Sequence, residues 1–450
     1  MKPGIQKTIT VLAAALTIVT AVLPMGLAPA WNGQNPGHRN QYEVAARAFL
    51  EGRLDLDYGP VDPKLLALEN PYDPAARKKA GASYRWDHSF YNGKYYMYFG
   101  VVPVFLLFLP YRALTGQDLT TFIGTAVFVS AFIAGLFALF LLLRKRFFKD
   151  FSYGMTVELS SALSLMSVWY ATSAPALYCT AISSGLAAEI WSLFFFVKAV
   201  YGTENENRAL LYAGIGALFG ALSFGCRPPV ALANVLVVPM LIDFLRKRKF
   251  SLKLFGKLVL AALPYAVIGA LLMYYNYVRF GSVLEFGQSY QLTIADVSHG
   301  VKLTPAFIGK GLNYYLLNLK DPKTLVQAGA FLTFPILLAP LALFINPKAM
   351  KLVLRSCFAL FVMLLLTAFI ILFTDIAGSP VFLPRYRMDF YWIFGLLAFV
   401  SIGFFGQSLK KKALFYTVIG LFAAVTVVMA VLLFFCPYDA NFASTLVTAK

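Results

Sequence analysis

Apolar runs of about twenty residues recur along nearly all of this 450-residue chain, and about 20 such residues are what an α-helix needs to cross the hydrocarbon core of a bilayer. Peptide groups find no water there, so the backbone must satisfy itself within helices or a closed barrel, and runs of this length select helices. The expected spans are a first one within residues 1–30, then roughly 119–143, 152–172, 181–200, 209–226, 229–245, 257–278, 326–346, 353–373, 389–407 and 413–436. The fold class is therefore an all-α polytopic transmembrane bundle of about 11–13 spans. With 59% hydrophobic and only 13% charged residues, against roughly 25% charged in an average soluble domain, no room is left for a soluble domain of ordinary size.

The net charge of +18 would point to nucleic acid in a soluble protein. Here the cations gather in short segments between spans, RKRFFK (144–149), RKRKFSLK (246–253) and KKK (410–412), which is how cytoplasmic loops are marked. No nucleic-acid partner is expected, only membrane lipids. This orientation puts residue 31 onward outside, with the APA at residues 28–30 read as the end of a retained first span rather than a cleavage site. The parity then requires that 101–114, short and interrupted by Pro103 and Pro110, enter the membrane without crossing it. The organisation expected is a first span (1–30), an extracytoplasmic loop with amphipathic helices (31–95), a core bundle (96–278), a second outer loop (279–325) and the C-terminal spans (326–450). In the first loop, Tyr42, Ala45, Ala46, Phe49 and Leu50 share one helix face and predict a helix lying along the membrane surface.

Neither the four cysteines (Cys179, Cys226, Cys357, Cys436) nor the three histidines (His38, His88, His299) have the spacing of a metal site or redox pair. No metal or other cofactor is expected. The outer polar stretches 31–95, 276–325 and 374–389 hold the residues that invite a chemical reading. In WDHSFYNGKYYMYFG (86–100) the tyrosines suit the headgroup belt, but Asp87 is a carboxylate beside apolar surface, where lost hydration raises proton affinity and makes it a candidate general base. Glu43 is the second candidate, with Asp55 and Asp57 as surface alternatives. Arg227, Arg279, Arg385 and Arg387 stand at outer span ends, where the charge bias does not account for them. Guanidinium groups there suit a lipid phosphate, with Glu285 and Asp389 as competing partners. Tyr95, Tyr96 and Glu285 complete the candidate substrate-binding set. Within the spans, Glu158 and Glu189 are costly enough to bury that each is a functional candidate.

Taken with YEVAARAFLEGRL, NYVRFGSVLEFGQSYQL and PRYRMDF, the segment WDHSFYNGKYYMYFGVVPVFLLFLPYRALTG resembles the GT-C superfamily of polytopic glycosyltransferases, of the protein O-mannosyltransferase and aminoarabinose transferase type, in a bacterial branch. The resemblance covers nearly the whole length, though no single motif is diagnostic. It implies a polyprenyl-phosphate-linked sugar donor, used on the extracytoplasmic side of a bacterial cytoplasmic membrane. It also implies inverting transfer to an acceptor hydroxyl on a protein, lipid or wall polymer, with an early acidic residue as base. Where many members carry an Asp-Glu pair, this chain has His38 and Arg39. The alternatives are a transporter or lipid flippase using Glu189, and a non-catalytic relative.

Overall fold

The computed structural model describes residues 3–27, 41–175, 177–248, 250–298, 300, 303–318, 326 and 328–435; His38, His299 and Cys436 lie outside them. Helix α1 (Pro3–Val22) ends in a 3-10 stretch (Leu23–Leu27). The first loop holds α2 (Gln41–Leu50), α3 (Pro63–Leu66), α4 (Pro74–Ala80) and a hairpin of β1 (Ser89–Tyr91) and β2 (Lys94–Tyr96). A π-helical stretch (Val104–Phe108) then runs into α5 (Leu109–Thr115). The bundle follows with α6 (Thr121–Phe147), α7 (Tyr153–Ser173), α8 (Leu177–Tyr201), α9 (Glu206–Cys226), α10 (Pro228–Ala231), α11 (Val237–Arg248) and α12 (Leu252–Phe280). After the second loop come α13 (Pro305–Leu312), α14 (Ala330–Thr333), a 3-10 helix (Pro335–Ile345), α15 (Pro347–Ser356), α16 (Phe358–Ala377), α17 (Arg387–Ser408) and α18 (Ala413–Phe434).

Among the described residues, nine helical segments are long and apolar enough to cross a membrane. Two more segments run the length of the bundle. Helices α6 and α8 run parallel, since Thr125 bonds Thr180 at 2.8 Å near their starts and Gly135 abuts Ile190 further along. The chain must therefore return between them through α7. That helix can be polar because protein encloses it on α1, α6, α17 and α18, and it buries Thr156, Ser160, Ser164 and Ser167. The second case is residues 330–345, which run parallel to α17: Val326 accepts a bond from Arg387 near the start of both, and Asn346 bonds Ser408 at 2.8 Å at the end of both. A 3-10 helix rises about 2.0 Å per residue, so this short segment reaches where an α-helix of equal length would not. Beyond it the chain bends by 95° into α15, whose Lys348, Lys351 and Arg355 suit the interface.

These eleven segments of the described chain separate two faces. On one, Arg146 reaches Gly202 O (2.6 Å), Arg248 reaches Thr203 O (2.9 Å) and Lys412 reaches Asp150 O (3.0 Å), so the basic segments lie together. On the other lie the described part of the first loop (41–100) and residues 281–298 and 378–386. The segment 101–115 belongs to this loop face and does not span: Val101, Val104 and Phe108 are buried while Phe105, Leu106 and Leu114 are exposed. The α2 helix packs onto it, Tyr42 stacking on Phe108 and Phe49 on Phe105, each at 5.1 Å. Its apolar face thus meets protein more than lipid, and Leu50 is the member left exposed. Gly100 makes this docking possible, because a Cβ there would stand 2.3 Å from the carbonyl oxygens of Gly225 and Cys226.

The hairpin departs from an all-helical loop. Asn92 and Gly93 both have positive φ (47° and 72°), as a two-residue turn matched to strand twist requires. Residues 290–292 add a third strand-like edge: Phe90 N–H donates to Tyr290 O (2.8 Å) and Leu292 N–H to His88 O (2.9 Å). The first and second loops are thereby one unit, joined where Asp87 sits.

Candidate functional site

Asp87 adopts φ 54°, a left-handed conformation that costs a non-glycine residue roughly 1–2 kcal/mol and persists only where its surroundings dictate it. They do so here. Its N–H donates to Leu292 O (2.9 Å), and its C=O accepts from the buried Gln41 side chain at 2.8 Å. The carboxylate is 5% exposed; Oδ2 accepts from the Tyr178 hydroxyl at 2.5 Å and Oδ1 from the Gln291 amide at 3.0 Å. Burial pushes the Asp87 carboxyl above its ordinary pKa, opposed by the Tyr178 hydroxyl and the Arg385 guanidinium.

His88 faces the other way. Its Nδ1 lies 2.8 Å from Trp86 O and its Nε2 2.8 Å from the Tyr58 hydroxyl, which fits a neutral ring donating through Nδ1. Burial pushes its pKa down to about 4. It fixes the hairpin's entry.

Asp87 opens into a cavity of about 760 Å³ walled by the first loop, residues 291–297, the start of α8, the end of α9 and residues 378–386. Two arginines line it and differ in kind. Arg227 is engaged by Asp389, through Nε to Oδ1 at 3.0 Å and Nη2 to Oδ2 at 2.5 Å, with Asp375 at 3.9 Å. Arg385 is 8% exposed and lies over the Tyr178 ring at 3.8 Å and the Tyr386 ring at 5.2 Å. No carboxylate among the described residues forms an ion pair with it. A buried cation without a counter-ion is costly, and this one borders open space of anion size.

The other predicted residues lie elsewhere. Arg279 is used up in holding the hairpin's exit: Nη1 donates to Met97 O (2.8 Å), Nη2 to Asn276 Oδ1 (2.9 Å), and the plane lies 3.7 Å over Tyr275. Arg387 is buried against the chain, donating to the carbonyls of Val326 and Tyr314. Neither lines the cavity. Tyr95 packs edge-on against Tyr58 and His88, and Tyr96 against Phe280. Glu285 caps its own turn by accepting from Gly287 N at 2.6 Å. Glu43 lies on α2, outside the cavity wall. Asp55 pairs with Arg53 and Lys94 (3.5 Å each) and Asp57 with Arg53 (3.7 Å) at the surface. Glu189 accepts from Asn234 at 3.0 Å, and Asn234 also bonds Ala231 O and Tyr265, a bracket around the 3-10 break (Leu232–Leu236) in the α10–α11 span.

Tyr178, Gln291, Tyr98 and Thr293 line the cavity with Asp87 and were not singled out by sequence. No group of His, Cys, Asp and Glu among the described residues is arranged to hold a metal ion.

No family model and no curated protein sequence matches the chain. Among solved structures it is similar to the apo Archaeoglobus fulgidus oligosaccharyltransferase, with a TM-score of 0.49 and 12% identity over 96% of this chain and 56% of that one. It is similar also to the archaeal oligosaccharyltransferase AglB of the same organism in complex with an inhibitory peptide and a dolichol-phosphate (TM-score 0.49, 11% identity, 95% and 55%). A third is ArnT from Cupriavidus metallidurans bound to undecaprenyl phosphate (TM-score 0.45, 14% identity, 94% and 75%). The chain spans little more than half the length of the archaeal oligosaccharyltransferase.

Proposed function

We propose that the protein is a membrane glycosyltransferase that moves a sugar from a polyprenyl-phosphate donor to an acceptor hydroxyl, working at the loop face on the extracytoplasmic side of a bacterial cytoplasmic membrane. The observation that carries this reading is one cavity holding both a desolvated carboxylate, Asp87, and a buried arginine without an acid partner, Arg385. The basic segments gathered on the opposite face support the sidedness.

In this reading the acceptor oxygen attacks the anomeric carbon as the bond from that carbon to the phosphate oxygen breaks on the far side, inverting the centre. Asp87 takes the hydroxyl proton. The leaving polyprenyl phosphate gains a negative charge, which Arg385 stabilises more in the transition state than in the bound donor. Arg227, neutralised by Asp389, shapes the wall. Asp87 is the base in preference to Glu43, and the phosphate falls to Arg385 rather than to Arg279 or Arg387, whose donors are engaged. Tyr98 and Trp86 offer ring faces to a sugar.

The test is transfer from undecaprenyl-phosphate-linked sugars by the purified protein in nanodiscs, with envelope glycans compared by mass spectrometry in cells with and without the gene. The expected result is a sugar missing from one envelope component and transfer in vitro that Arg385→Gln reduces about 10²–10³-fold. Transfer that survives Arg385→Gln undiminished would overturn the phosphate assignment, and an unchanged glycan profile the reading itself.

A further inference from the structure

Tyr178 touches both reactive groups. Its hydroxyl donates to Asp87 Oδ2 at 2.5 Å while its ring carries the Arg385 guanidinium at 3.8 Å. Asp87 and Arg385 are therefore separated by one phenol ring, and both are buried, so that charges act on each other strongly. The groups facing Asp87 are Tyr178 from α8, Arg385 and Tyr386 from the 3-10 turn just before α17, Tyr98 from the turn after β2, Trp86 from its own segment, and Gln291 and Thr293 from the second loop. Arg227 lines the same cavity but is held by Asp389. Arg385 is thus the one unneutralised charge among the described groups that favours ionised Asp87.

We propose that Tyr178 is a positioning residue through which a phosphate at Arg385 strengthens Asp87 as a proton acceptor, so that the base is switched on by the arrival of the donor. This rests on the transferase reading. The Arg385 cation and the Tyr178 hydroxyl both favour the carboxylate and so hold back part of the proton affinity that burial gives Asp87. A phosphate monoanion or dianion on Arg385 cancels that field without touching Asp87. The acceptor proton then meets a carboxylate whose remaining support is the hydrogen bonds from Tyr178 and Gln291. The proton goes to Asp87 only while a donor or its phosphate product is bound, and returns to water when the product leaves and Arg385 is uncovered.

The experiment titrates Asp87 directly, as the carboxylic acid stretch in infrared difference spectra, assigned by subtracting Asp87→Asn. The probe is undecaprenyl phosphate, which carries no sugar and cannot react. Its binding should move the Asp87 midpoint upward by about one pH unit or more, since an opposite charge nearby lowers a carboxyl by about 1–3 units and is here being neutralised. In Arg385→Gln the midpoint should be high at the outset and stay there on adding the lipid. Tyr178→Phe keeps the ring, so lipid affinity should hold within about threefold, roughly 0.6 kcal/mol, while the midpoint rises even without lipid. In turnover, the acid limb of kcat should lie above that of kcat/KM. Undecaprenyl phosphate that binds wild type and leaves the Asp87 midpoint unmoved would overturn the switch and spare the transferase reading. Failure of wild type to bind it at all would overturn the transferase reading as well.

Discussion

The two faces of the bundle use the same cations for opposite ends. On the basic face, Arg146, Arg248 and Lys412 sit at the edge of the chain, each bonded to a backbone carbonyl of a neighbouring turn. Water and lipid headgroups reach them, so their individual worth is small and their collective role is to fix which way the chain lies. On the loop face, Arg227, Arg279, Arg385 and Arg387 are drawn inward, stacked on aromatic rings, and three of them are engaged by carbonyl, amide or carboxylate oxygens. A charge that water can still reach carries information about orientation. A charge taken out of water must be matched, and Arg385, which forms no ion pair among the described residues, is the one set against aromatic rings at the cavity wall.

If that contrast is right, the deepest loss follows from Asp87→Asn, with transfer falling about 10²–10⁴-fold while undecaprenyl phosphate still binds, as read by turnover and equilibrium binding on one preparation. Transfer at the wild-type rate would remove Asp87 from the chemistry. Next, Asp389→Ala should destabilise the protein by about 3–5 kcal/mol, because it leaves the Arg227 charge with only the more distant Asp375; thermal unfolding in detergent measures it, and a Tm within a degree of wild type would break the distinction between matched and exposed cations.

Acid sharpens the contrast further. His88 binds its proton less readily folded (about 4 against an ordinary 6.5), so its neutral packing supports the fold fully above about pH 6.5. That support is lost as pH falls toward 4, a total of about 3 kcal/mol. Unfolding followed from pH 7 to pH 4 should show this decline, and His88→Gln should flatten it. The smallest effect belongs to the basic face: Arg146→Gln should change stability by no more than about 0.5 kcal/mol and leave transfer unchanged. A loss there comparable to that of Asp389→Ala would erase the difference between the faces.

The spans were legible because each is a long apolar run, and the segment expected to enter the membrane without crossing forms, over Val104–Thr115, an apolar helix shorter than a span. The Ser-rich α7 was legible as a span from its flanks, whereas the 3-10 winding of Pro335–Ile345 was not, since apolarity does not report helical pitch. The hairpin had a local signal, Asn92-Gly93 between aromatic residues, that the all-helical expectation passes over. The candidate site was legible only in part. Asp87 stands out as an acid beside apolar surface, but nothing local separates Arg385, bordering the cavity, from Arg387 two residues on, which is folded against carbonyls. Tyr178 lies just past a three-residue link between two spans, and its meaning comes wholly from what the tertiary fold brings to its hydroxyl and its ring.

The abutment of Gly100 on the Gly225 and Cys226 carbonyls sets a timetable for synthesis. The stretch beginning at Val101 leaves the ribosome long before α9 exists to receive it, and its apolar side chains must wait at the membrane surface until that later helix is threaded. The chamber around Asp87 therefore cannot close when its loop is made, only later, when α9 and then α17 arrive beside it.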